Sequence, residues 1–211
     1  MSERGQIHDP YETLVQQRNA DKLGMFVFLA TEIMLFSGLF ACAFVLRILH
    51  PQEYVYASKH LHLWIGGVNT LVLLTSSFAV ALAVVLARRG ASTRVFWCLA
   101  AAALLGLGFL GIKAFEYSVE YGDGLLPAFG EATRFVGPVQ KLFNDLYLIA
   151  TFLHALHVTG GVVLLSILAL RVRSGSMALP QRAITVELGG LYWHLVDAIW
   201  VFLYPVLYLA R

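Results

Sequence analysis

Tyr192-Trp193-His194-Leu195-Val196-Asp197-Ala198-Ile199-Trp200 lies inside an otherwise apolar run from Leu188 to Ala210. His194 and Asp197 stand three positions apart, which places them on one face of a helix. A run of that length, with no other charged group, reads as a membrane-spanning helix. An ionisable side chain in hydrocarbon costs several kcal/mol unless it is partnered. His194 and Asp197 are therefore expected to face protein or water rather than lipid tails.

The whole chain agrees with that reading. Its 211 residues are 59% hydrophobic and 13% charged, and the mean hydropathy is +0.73, values typical of an integral membrane protein rather than a soluble domain. A net charge of +2, with no basic run interleaved with aromatics, gives no basis for a nucleic-acid partner. Cys42 and Cys98 each stand alone in an apolar run, with neither a CxxC nor a CxxCH neighbour, and read as packing residues.

Five apolar runs follow one another: Leu23 to Leu46, Leu63 to Ala87, Val95 to Val119, Leu142 to Leu170 and Leu188 to Ala210. Each is near or above the roughly 20 residues that cross a bilayer as a helix. The predicted fold is thus all-α, an integral membrane bundle of five transmembrane helices over 23–211 that follows a polar N-terminal segment over 1–22. That segment lacks the pattern of a removable signal peptide. Glu120 to Lys141, rich in glycine and proline, reads as an exposed loop, and His50 to His62 as a short polar link. Gly66-Gly67, Gly106, Gly108, Gly111, Gly160-Gly161 and Gly189-Gly190 offer places for helices to approach closely.

Orientation follows from the basic residues. Arg4, Arg18, Lys22, Arg88, Arg89, Arg94, Arg171, Arg173 and Arg182 collect on the N-terminal side of the membrane, against Arg47, Lys59, Arg134, Lys141 and Arg211 on the other. The N-terminus is expected in the cytoplasm and the C-terminus outside.

Glu32, His154, His157, His194 and Asp197 are the candidate buried polar cluster. At the rise of a helix they fall within ~8–15 Å of one membrane edge, close enough in depth to form a layer. Three uses are open: a hydrogen-bond network joining helices, a site for lipid head groups or protons, and a metal site. HxxH and HxxD are compatible with metal ligation, but their spacing alone is a weak signal. Lys113 and Glu116 fall near the outer interface and are spaced to pair as a snorkelling ion pair. His8, His50, His60 and His62 lie in flanks or loops and read as solvated. Neither facing haem ligands nor a paired-cysteine copper loop is legible, so no redox centre, metal or cofactor is expected in this chain.

These residues also resemble a family, subunit III of the haem-copper terminal oxidases. Tyr192 through Leu209, YWHLVDAIWVFLYPVLYL, is similar to its last helix nearly position for position. Phe152 through Gly161 resembles its TGxHxxHVxxG helix, with Thr151-Phe152 in place of Thr-Gly. Lys22 through Phe36 resembles the helix K-x-G-x-x-x-F-x-x-S/T-E-x-x-x-F. Asn69-Thr70 with Leu73 through Ser77, and Phe115-Glu116-Tyr117, complete five motifs in the family's order between Lys22 and Leu209.

The resemblance implies a non-catalytic subunit that supports oxygen reduction and proton pumping by stabilising subunit I and holding phospholipid. Glu32 would be the family's carbodiimide-reactive carboxylate and His157 a neighbour of bound lipid. Haem and copper would reside in partner subunits. The implied partners are subunit I directly, subunit II and subunit IV, with a larger respiratory supercomplex left open. The implied location is the bacterial inner membrane. Five spans in place of the mitochondrial-type seven match the short bacterial form, which serves cytochrome c and quinol oxidases alike. Rival readings are an autonomous proton or small-solute transporter, a membrane metalloenzyme, and the short proteins associated with nitric oxide reductases.

Overall fold

The computed structural model describes residue 11 and residues 13–59, 61, 63–122 and 137–209. Among them are six helices and no strand: α1 (Leu14–Leu49), α2 (Pro51–Ser58), α3 (Leu63–Arg88), α4 (Ser92–Gly122), α5 (Pro138–Arg173) and α6 (Ala183–Tyr208). All but α2 are long and apolar enough to cross a membrane, so the five expected spans are present.

The helix edges move outward from the apolar runs. α1 begins at Leu14, inside the polar N-terminal segment, where the Thr13 hydroxyl accepts the Gln16 N–H at 3.2 Å and so caps a helix start. Pro138 through Lys141, expected in a loop, form the first turn of α5, where the missing N–H of proline costs nothing. The other end of that loop is corrected too: Glu120 is a buried residue of α4. The turn from α3 to α4 closes at Gly90, whose φ of +75° suits a residue without a side chain.

Two compact units divide the chain, one through Leu35 and one from Phe36 onward. The first holds the opening turns of α1. In the second, close packing joins α3 to α4, α4 to α5, α3 to α6 and α5 to α6. Glycines permit this where they were expected to. A Cβ on Gly106 would stand 2.7 Å from the Trp193 ring, and one on Gly161 would stand 2.6 Å from it, so the indole is wedged between α4 and α5. Gly108 and Gly111 face open space instead.

The link read as merely polar contains α2, which closes the end of α6. Tyr54 Oη donates to the Val206 carbonyl at 2.9 Å and Ser58 Oγ to the Leu207 carbonyl at 2.8 Å. These are carbonyls of the last helical turn, which have no partner within the helix. Cys42, expected as a packing residue, is exposed on α1.

Candidate functional site

His154 comes from the middle of α5 and is 0% exposed. Three rings enclose it: Trp200 stacked at 5.0 Å and 27°, Phe109 edge-on at 5.6 Å, and Phe36 edge-on at 6.5 Å. Neither of its ring nitrogens has a hydrogen-bond partner among the described residues. Its surroundings are those of a packed core, contributed by α1, α4 and α6.

One turn along α5, the His157 Nδ1–H donates to the Leu153 carbonyl at 2.8 Å, which assigns the proton to Nδ1. Its ring meets Phe36 at 5.3 Å, and its carbonyl accepts the Tyr192 hydroxyl at 3.1 Å. Phe36 thus touches both histidines. On α6, His194 Nδ1 lies 2.6 Å from Ser77 Oγ of α3. Asp197 is 3% exposed. Ser77 lies beside its carboxyl but outside hydrogen-bonding geometry, and both carboxyl oxygens stay unbonded among the described residues. Glu32 lies on α1 in the first unit, whereas the other four belong to the second. Among the described residues no three His, Cys, Asp or Glu side chains gather as a metal-ligand set.

Lys113 and Glu116 require a correction. They pair at 2.9 Å, but they are 2% and 0% exposed, so the pair faces the inside of the bundle and does not snorkel. The physical reason is that α5 and α6 complete the ammonium's bonding. Lys113 Nζ donates to Glu116 Oε2 at 2.9 Å, to Tyr147 Oη at 3.0 Å and to Tyr208 Oη at 2.6 Å, which uses all three of its hydrogens. Tyr147 then donates to Glu120 Oε1 at 2.8 Å, and Tyr208 to Glu116 Oε1 at 2.8 Å. The rings of Tyr117, Tyr147, Trp200 and Tyr208 surround the ammonium at 5.0–5.5 Å, within cation–π range.

Glu120, Tyr147 and Tyr208 were not legible as members of this cluster. One signal pointed to Glu120: residues 113, 116 and 120 follow a helical i, i+3, i+7 spacing and share a face. The tyrosines near helix ends carried no signal distinct from an interfacial aromatic belt. His8, His60 and His62 lie outside the described residues, and His50 is exposed, 4.0 Å from Glu53.

Five long apolar helices with a buried polar interior define an all-α, multi-pass membrane protein. Residues 2–210 match the family model described as Cytochrome c oxidase subunit III, and the chain belongs to that family. It is 30% identical to the cytochrome c oxidase subunit 3 of Thermostichus vulcanus over 190 residues, covering 89% of this chain and 86% of that protein. A probable cytochrome c oxidase subunit 3 of Mycobacterium tuberculosis is 32% identical over 195 residues, covering 92% of this chain and 89% of that protein. The quinol oxidase subunit 3 of Bacillus subtilis is 30% identical over 210 residues, covering 99% and 96%. The chain is accordingly a bacterial multi-pass membrane protein of the respiratory oxidases, a subunit that associates with other oxidase subunits.

Proposed function

We propose that this chain is a non-catalytic subunit III that stabilises subunit I and holds phospholipid in an oxidase fed by cytochrome c. The oxidase reduces oxygen to water and pumps protons, with haem and copper in the partner subunits. Subunit I is the direct contact, and subunits II and IV complete the complex. The N-terminus faces the cytoplasm.

The observation that carries this reading is how the interior polar groups are used. Lys113, Glu116, Glu120, Tyr147 and Tyr208 bond to one another across α4, α5 and α6, and His154 is enclosed by rings from three other helices. Side chains committed to joining helices suit a scaffold.

The test is purification of the complex through this subunit, followed by an optical spectrum and donor assays. Haem should co-purify, and cytochrome c should be oxidised. Glu32→Ala should leave haem content intact and shorten the lifetime during turnover. Loss of haem from that variant would argue for more than a supporting role. A quinol oxidase is the second reading, favoured by the Bacillus subtilis relative that aligns with 99% of this chain. Oxidation of quinol in place of cytochrome c would establish it.

A further inference from the structure

Two phenols of the interior cluster each meet a carboxylate of their own. Tyr147 Oη donates to Glu120 Oε1 at 2.8 Å, Tyr208 Oη donates to Glu116 Oε1 at 2.8 Å, and the two phenol oxygens are 3.1 Å apart. The rings of Tyr147 and Tyr208 stand 5.9 Å apart, and the half-buried Tyr204 continues the line 5.5 Å beyond Tyr208. Tyr147, Tyr208, Glu116 and Glu120 are each at most 1% exposed, which keeps bulk water from them.

This arrangement meets the needs of a tyrosine that loses one electron. A phenol stripped of an electron is a strong acid, so its oxidation is practicable where a base takes the proton in the same step. A carboxylate oxygen at 2.8 Å is within reach for that transfer. Charge favours the same event. The cluster sets two carboxylates against the single ammonium of Lys113, and positive charge left by a departing electron is drawn to the excess of negative charge. Lys113 Nζ donates to both phenol oxygens, at 3.0 and 2.6 Å, and holds each in place when its own hydrogen has gone. For joining helices alone, Tyr147 could donate to Tyr208. It meets a second buried carboxylate instead, a costly group to bury.

We infer that Tyr147 and Tyr208 are a redox-active pair that quenches oxygen-centred radicals. An electron passes from Tyr208 through Tyr204 to a radical at the surface, which is reduced to its anion. The Tyr208 proton moves to Glu116, and a neutral tyrosyl radical remains. Tyr147 then gives an electron to Tyr208 while its own proton passes to Glu120, and Glu116 returns the first proton to Tyr208. A quinol reaching Tyr204 restores the electron, and Glu120 returns the proton to Tyr147. The source of the radicals is oxygen reduction in the partner subunits, and in that respect the inference rests on the oxidase reading above.

The purified complex is irradiated with a ruthenium tris-bipyridine sensitiser and persulfate, which supplies the sulfate radical, then frozen and examined by electron paramagnetic resonance. Wild type should show a neutral tyrosyl component that Tyr147→Phe combined with Tyr208→Phe removes. Tyr56→Phe, at an exposed position on α2, should leave that component unchanged. Glu120→Gln still accepts the hydrogen bond but takes no proton, and should slow formation of the Tyr147 radical roughly a hundredfold. After equilibration in deuterium oxide the wild-type component should form more slowly. A tyrosyl signal that neither single phenylalanine variant alters would overturn the inference, even where those variants are less stable, because the phenols would then be structural alone. The absence of an isotope effect would overturn the coupling to the carboxylates. The sulfate radical needs no oxygen chemistry from the complex, so a radical on this pair in a preparation without haem would support the pair while removing the oxidase reading.

Discussion

The imidazole of His154 lies 5.0 Å from the indole of Trp200 and only 27° from parallel to it. The same indole sits 5.5 Å from the Lys113 ammonium, and its Nε1–H donates to Thr70 Oγ1 at 3.1 Å. One side chain of α6 therefore connects the histidine of α5, the lysine of α4 and the hydroxyl of α3. Trp200→Phe keeps a ring in place and is expected to cost about 1 kcal/mol through the lost hydrogen bond. Trp200→Ala should cost ~3–5 kcal/mol by leaving a cavity. Unfolding in mixed micelles, followed by helical circular dichroism, would measure both, and an equal loss for the two would show that the ring's packing is unimportant.

The Lys113–Glu116 pair should behave as a buried pair, in which losing one partner is worse than losing both. Lys113→Met alone leaves the Glu116 carboxylate without its cation and is expected to cost roughly 3–5 kcal/mol. Lys113→Met combined with Glu116→Leu should recover much of that loss, since no uncompensated charge remains. A double-mutant cycle on unfolding free energy measures the coupling. Additive effects would mean that the two residues act independently.

Trp193 makes the glycines of α4 and α5 selective sites. Gly161→Ala would bring a methyl within 2.6 Å of the indole and should cost ~1–3 kcal/mol through overpacking. Gly108→Ala and Gly111→Ala, where nothing lies within 4 Å, should be neutral in the isolated chain. Pairing Gly161→Ala with Trp193→Phe should restore stability in the same unfolding assay if the clash is the cause.

Tyr54 lies on α2, outside the spans, and burial pushes its hydroxyl up to about 12, partly opposed by the nearby Arg47 cation. The folded state therefore holds the proton more tightly than the unfolded chain does. Tyr54's contribution is complete below pH 10 and lost as the pH rises from 10 through 12. Tyr54→Phe should remove this alkaline dependence and cost ~0.5–1.5 kcal/mol at neutral pH, because the Val206 carbonyl loses its donor. Stability curves of wild type and variant between pH 8 and 12 test it; parallel curves would exclude Tyr54 as the titrating group.

Much of the site was legible one residue at a time. His194, Asp197, His154 and Lys113 stood out because ionisable groups in apolar runs are costly and must be accommodated. What each one meets was not legible. Lys113 looked able to reach outward with Glu116, and its inward turn depends on tyrosines 34 and 95 positions away in the chain. By sequence Glu120 falls in a loop because glycine and proline follow it, although α4 continues past it. α2 is not legible because an eight-residue helix carries too little periodic pattern, and its burial comes from α5 and α6.

The amino-acid order alone determined the five spans, the all-α class and the family. Each rests on local quantities: the length of an apolar run, the rarity of charge within it, and motifs read in order. The tertiary structure decided which way each polar side chain points and whose bonds it completes. A helix rotated by ~100° per residue presents every side of itself somewhere along its length. Only the neighbouring helices select the side that becomes the interior.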